Sequence, residues 1–182
     1  RKAGVKAGIV EATIAANENQ MARMVDKIAR ATGKKRGAKV AVLGLAFKPN
    51  TDDLREAPAL RIIAGLKKRG IKVTVFDPVA QPKPGSGPAE LKNVVFAADA
   101  YDAVRGVDAV AIITEWNEFR NMDLGRLKRL MRRPVLCDLR NLYDPAEVEA
   151  AGLVHIGVGR GRPAEVVRSA RRTTRRAQRK TA

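Results

Sequence analysis

Apolar and polar positions along this chain change period once, near residue 37. Before that point Ile14, Ala15, Met21, Met24, Val25, Ile28 and Ala29 recur at spacings of three and four, which predicts one amphipathic helix over residues 10–32. Gly33 supplies its stop, and Lys34-Lys35-Arg36-Gly37 follows as a basic hinge. Beyond it, short runs that are apolar throughout alternate with amphipathic stretches. Residues 39–44, 72–77, 108–114, 134–138 and 154–158 read as buried strands, and residues 58–69, 101–105, 124–131 and 146–150 as helices. The face of the helix over 58–69 is Ala59, Leu60, Ile62, Ile63 and Leu66, and residues 81–88 form a Pro/Gly/Ser loop. Strand–helix alternation of this kind predicts a doubly wound, Rossmann-like α/β domain with a mostly parallel sheet and right-handed crossovers, preceded by a long connecting helix.

Length and composition narrow the picture. A chain of 182 residues holds one full domain and one extra element. Apolar residues make up 45% and charged residues 30%, ordinary values for a globular protein in water. No apolar run is long enough for a membrane span, so a cytoplasmic location is expected. The first residue is arginine, which reads as a cut inside a longer chain. A single cysteine, Cys137, and a single histidine, His155, exclude a disulfide framework and a Cys/His zinc site.

The net charge of +17 points toward nucleic acid until its distribution is examined. Residues 1–39 carry 10 basic and 3 acidic groups, residues 160–182 carry 9 and 1, and residues 40–159 carry 17 and 15. The basicity therefore sits at the ends, whereas a nucleic-acid-binding fold concentrates it on the domain itself. The organisation expected is a helix and hinge over 1–37, a ligand-binding domain over 38–159 and a mobile basic tail over 160–182.

In open parallel sheets ligands bind beyond the carboxyl ends of the strands, so the loops there hold the candidate chemistry. The loop 44–58, GLAFKPNTDDLREAP, lacks the G-x-G-x-x-G fingerprint of a dinucleotide turn. It offers an aromatic ring, an ammonium and a guanidinium in Phe47, Lys48 and Arg55, which suits a phosphorylated sugar with a flat base. Equally, Phe47 caps the core, Lys48 is solvated and Arg55 pairs with Asp52 or Asp53. In the loop 114–119, Trp116 is either a cleft wall or subunit contact, or a ring packing the next helix. In the loop 137–141, Arg140 either grips a phosphate or sugar hydroxyls, or pairs with a neighbouring acid. Cys137 lies inside its strand and reads as a small buried hydrophobe rather than a nucleophile. His155 reads as a core or surface histidine, and Asp77, placed like the ribose-binding acid of dinucleotide folds, lacks the glycine fingerprint that would support that role.

Taken in order, GLAFKPNTDDLREAP (44–58), VTVFDP (73–78), AIITEWNEF (111–119) and LCDLRNLY (136–143) resemble the C-terminal domain of the UDP-glucose 6-dehydrogenases. Asn17-Glu18-Asn19-Gln20 resembles that family's central helix, so the resemblance covers about residues 10–159. The resemblance implies that Phe47, Lys48 and Arg140 contact a UDP-sugar, UDP-glucose or UDP-glucuronate, and that Arg55 reaches toward NAD held mainly by another domain. It implies oxidation of the sugar's C6 alcohol by two hydride transfers to NAD through a thiohemiacetal on a cysteine. In the family that cysteine and the NAD domain precede the central helix, so this chain alone is expected to be inactive, and Cys137 does not inherit the role. The central helix implies a homodimer through residues 10–32. The competing expectation is a non-catalytic binding or dimerisation module whose basic tail binds nucleic acid.

Overall fold

The computed structural model describes residues 7–33, 36–82 and 86–160. The tail over 160–182 lies outside them apart from Arg160, as do Lys34 and Lys35 of the hinge.

The first element, α1 (Gly8–Ala31), leads into the strand β1 (Lys39–Leu43). Then come α2 (Pro58–Lys68), β2 (Lys72–Phe76), a single 3-10 turn (Ala89–Leu91) and β3 (Val95–Phe96). The second half runs α3 (Ala100–Ala103), β4 (Ala109–Ile112), α4 (Asn117–Arg120), α5 (Leu124–Leu130), β5 (Val135–Asp138), α6 (Pro145–Ala150) and β6 (Val154–Gly157).

The six strands form one sheet in the order β3-β2-β1-β4-β5-β6. Every pairing among the described residues is parallel, with Val42 facing Val75 on one side and Ala111 on the other, then Ala111 facing Cys137 and Cys137 facing Ile156. The expected sheet is mostly parallel; a crossover connection at each step, through an α-helix everywhere but between β2 and β3, leaves no antiparallel pair among the described residues. Val40, Ala41, Val42 and Leu43 are all fully buried because helices cover both faces of the sheet, which is why the central strands read as unbroken apolar runs.

Local signals set the helix ends. Pro58 occupies the first turn of α2, where its missing N–H costs nothing, and Gly70 takes the left-handed conformation just past the end at φ +71°. Asp99, Asp123 and Asp144 cap α3, α5 and α6 by accepting from the N–H groups of Asp102, Arg126 and Ala146.

Three elements depart from the sequence expectation. The strand β3 was not anticipated: it is two residues long, both exposed, and sits at the sheet's edge, so it has no burial pattern to betray it. The segment after β4 was expected as loop and contains the single-turn helix α4. The apolar face of α1 is buried only in its second half, at Met24, Val25, Ile28 and Ala29, whereas Ile14 and Ala15 face solvent. The buried half of α1 packs on α2 and across β4 and β5.

Candidate functional site

The sheet reverses its winding between β1 and β4, and the loops leaving their carboxyl ends flank the crevice where doubly wound sheets take ligands. The chain enters the first loop at Gly44, whose φ of +93° and close approach to Thr114 leave no room for a side chain: a Cβ there would stand 2.6 Å from the Thr114 backbone N. Thr114 Oγ1 donates to the carbonyl of Ala46 at 2.7 Å, tying the loop after β4 to the loop after β1.

Phe47 and Lys48 follow and point outward. Phe47 is 55% exposed, which excludes a role as a cap on the core, and Lys48 is exposed beside it. The loop closes on itself through the Phe47 N–H, which donates to the Asp53 carbonyl at 2.8 Å. Arg55 pairs with Asp53 through Nε to Oδ1 at 2.9 Å and Nη2 to Oδ2 at 2.8 Å. The guanidinium's hydrogen bonds, its own backbone N–H and the charge of Lys48 bring the Asp53 carboxyl down to about 2. Arg55 remains 89% exposed, so the pair stands in water at the rim. Of the non-glycine residues with positive φ among the described residues, Asn50 and Glu56 lie in this loop and Asn141 in the loop after β5. Such backbone is sparsely populated and persists where surrounding contacts over-determine it.

Asp77, at the end of β2, is fully buried and does not face a ligand. Its Oδ2 accepts from the backbone N–H groups of Leu45 and Ala46 and from Trp116 Nε1, and its Oδ1 from those of Val79 and Ala80, at 2.7–3.1 Å. Its position mimics the ribose-binding acid of dinucleotide folds, but these acceptor contacts are turned inward. Trp116 is buried as well, so its ring belongs to the core rather than to a cleft wall.

The third loop follows β5. Asp138 is fully buried and accepts from the N–H groups of Arg140 at 3.2 Å and Tyr143 at 3.0 Å, shaping the turn that presents Arg140. Burial pushes the Asp138 carboxyl up, but the adjacent His155 imidazole and the turn's N–H groups outweigh it and hold the group below the ordinary carboxylate range. His155 is a core histidine whose Nε2 is buried without a hydrogen bond, 3.7 Å from Asp138 Oδ2. Arg140 is paired with Glu115: Nε lies 2.5 Å from Oε2, and Nη2 donates to Oε1 at 2.7 Å. Of the two readings of Arg140, pairing with an acid is thus present in the structure, and the arginine still keeps 45% of its side chain exposed. Cys137 is fully buried, and burial, reinforced by Asp138 and opposed only by Lys27, pushes its thiol up to about 12. It is a core hydrophobe with no thiolate to offer.

All four sequence-predicted residues therefore sit at the carboxyl edge of the sheet: Phe47, Lys48 and Arg55 on one loop, and Arg140 two strands away. Three consecutive residues join the loops. Thr114 binds the loop after β1, Trp116 reaches Asp77 at the end of β2, and Glu115 holds Arg140 on the loop after β5. Sequence reasoning missed Glu115 and Asp138, and named Asp77 without its inward hydrogen-bonding role. A legible signal for the carboxylates existed in the acid that ends a strand just before a turn, as in VFDP and CDLRN.

The cations and the ring suit an anionic ligand with a planar group, and the thiol beside them, Cys137, is buried. Groups of three or more metal-ligating side chains are absent among the described residues. No described helix is long and apolar enough to cross a membrane.

Residues 41–145 match the family described as "UDP-glucose/GDP-mannose dehydrogenase family, UDP binding domain". The chain is 44% identical over 153 residues to a UDP-glucose 6-dehydrogenase of Rhizobium meliloti, covering 84% of this chain and 34% of that protein. It is 41% identical over 160 residues to one of Bacillus subtilis, covering 88% and 34%. Among solved structures, a UDP-glucose dehydrogenase from Pyrobaculum islandicum is similar with a TM-score of 0.68 at 31% identity, over 86% of this chain and 33% of that one. The chain thus spans about a third of the length of the relatives it matches.

Proposed function

This chain belongs to the UDP-glucose/GDP-mannose dehydrogenase family, and from that premise we propose that it supplies the nucleotide-sugar-binding part of an NAD-dependent UDP-glucose 6-dehydrogenase. The observation that carries the reading is the outward-facing pair Phe47 and Lys48 at the carboxyl end of β1, beside the switch point of the sheet. An aromatic ring left more than half exposed loses the benefit of burial unless something covers it, and a planar base is the complementary cover. Lys48 then faces the diphosphate, and Arg140 reaches the same anion from the third loop.

In this reading residues 1–37 connect and dimerise, residues 38–159 bind the sugar nucleotide, and the chemistry on the C6 alcohol belongs to other parts of the enzyme. The loops of this chain do not fit NAD as a dinucleotide site of their own: the glycine fingerprint is missing, and Asp77 is fully occupied in the interior. The one contact toward NAD is Arg55, exposed at the rim. With Cys137 buried, the 182-residue chain binds without turning over.

The test is calorimetry with UDP-glucose. Lys48→Ala and Arg140→Ala are each expected to weaken binding by roughly tenfold or more, the scale of a lost charge-assisted hydrogen bond. Equal heats for both variants and the unaltered chain would remove the site assignment.

A further inference from the structure

We propose that Glu115 is a positioning residue for the anion site: it clamps one edge of the Arg140 guanidinium so that the other edge is presented, already oriented, to the diphosphate of the nucleotide. The inference rests on the reading of Arg140 as a ligand residue, and adds to it the residue that aims it.

The geometry of the pair supports orientation over blockade. Glu115 takes the Nε and Nη2 side of the guanidinium in a two-point contact. Nη1 has no hydrogen bond or ion pair with any described residue, so the edge formed by Nη1 and the second N–H of Nη2 stays available. Two parallel N–H groups on that edge match two oxygens of a phosphate. A side chain with many rotamers is thereby restricted to one before a ligand arrives, and the ordering cost falls on the folded protein rather than on binding.

Glu115 is itself held on both sides. Thr114 is pinned by its bond to the Ala46 carbonyl and by the close packing of Gly44, and Trp116 by its bond to buried Asp77. A residue whose two neighbours are fixed to different loops has little freedom to follow Arg140; the arginine follows it. Burial raises the Glu115 carboxyl, but the hydrogen bond and charge of Arg140, a backbone N–H and the charge of Arg120 together outweigh it and keep the group below its usual range. The clamp is therefore ionised at neutral pH.

Affinity for UDP and for uridine, read by NMR titration of the full chain, separates orientation from general damage. Glu115→Ala is expected to weaken UDP binding by about fivefold to tenfold, with Glu115→Gln recovering part of the loss because its amide oxygen still accepts from Nη2. Uridine, which has no phosphate, should bind all three proteins alike, and Glu115→Ala should cost nothing further in an Arg140→Ala background. Loss of uridine and UDP affinity together would mean that Glu115 only supports the loop. Tighter UDP binding in Glu115→Gln would show a competitor for Arg140, and either result overturns the proposal. If Arg140→Ala leaves UDP affinity unchanged, or if the unaltered chain takes up no UDP, the underlying site reading falls first, and the positioning role falls with it.

Discussion

A carboxylate withdrawn completely from water is tolerated only where its oxygens find donors, and Asp77 finds five of them on three loops. Two of those donors, the N–H groups of Leu45 and Ala46, come immediately before Phe47. The outward aim of the candidate ligand residues is thus set by a group that never meets the ligand. Replacing Asp77 with Ala leaves these donors buried and unpaired, so a loss of about 3 kcal/mol or more in urea-denaturation stability is expected. Asp77→Asn should lose less, since one oxygen still accepts while the new amide N–H groups oppose donors. A denaturation midpoint for Asp77→Ala no different from that of a surface substitution would show that the hub is dispensable. Arg140 and Glu115 differ in kind from this buried acid: both keep part of their side chains in solvent, and their contact costs little to disturb.

Between elements, α1 and α2 approach each other tightly. A Cβ built on Gly65 would stand 2.7 Å from Cγ2 of Val25, so the two helices meet there backbone against side chain. Glu18 lies 4.0 Å from Arg61 and Asp26 pairs with Arg69, which orders the two helices in the same direction down the face of the sheet. Gly65→Ala would gain about 1 kcal/mol from helix propensity alone. Against Val25, whose χ1 is stiff in a helix, overpacking costs about 1–3 kcal/mol. A net loss is therefore expected in thermal or urea unfolding. In a Val25→Ala background the same change should become stabilising, and a Gly65→Ala effect independent of residue 25 would refute the packing argument.

At the scale of the molecule, the first part of α1 runs past the elements it packs on. Glu18 is already level with Arg61 near the start of α2, and residues 8–17 run on past it. Ile9, Val10 and Ile14 on that stretch are 87%, 58% and 53% exposed, an apolar surface unusual for the free part of a helix. We propose that this stretch pairs with a second copy of the chain. Sedimentation equilibrium should then find a dimer that Ile14→Glu dissociates without loss of helical ellipticity; a monomer at high concentration in the unaltered chain would end the idea.

The boundary between what the amino-acid order determines and what only the fold decides follows the range of the interactions. Strand and helix positions depend on hydrophobic period, prolines and glycines within a few residues, and β1, β2, β4, β5 and β6 were accordingly legible within one or two residues. The strand β3 escaped because an exposed two-residue edge strand is defined by its partner β2 and not by its own pattern. The loops that carry Phe47, Lys48, Arg55 and Arg140 were legible too, since strand ends mark them. Their surroundings were not. For Asp77 the sequence offers a ribose-acid position without its glycine fingerprint and no partner, until 31 and 39 residues of sequence separation close on Ala46 and Trp116; for Arg140 it leaves open a ligand or a neighbouring acid, until Glu115 is brought to it across 25. Sequence by itself determined which side chains stand at the carboxyl edge; only tertiary structure decided which of them face inward, because a charged group's role depends on the donors and acids that distant segments bring beside it.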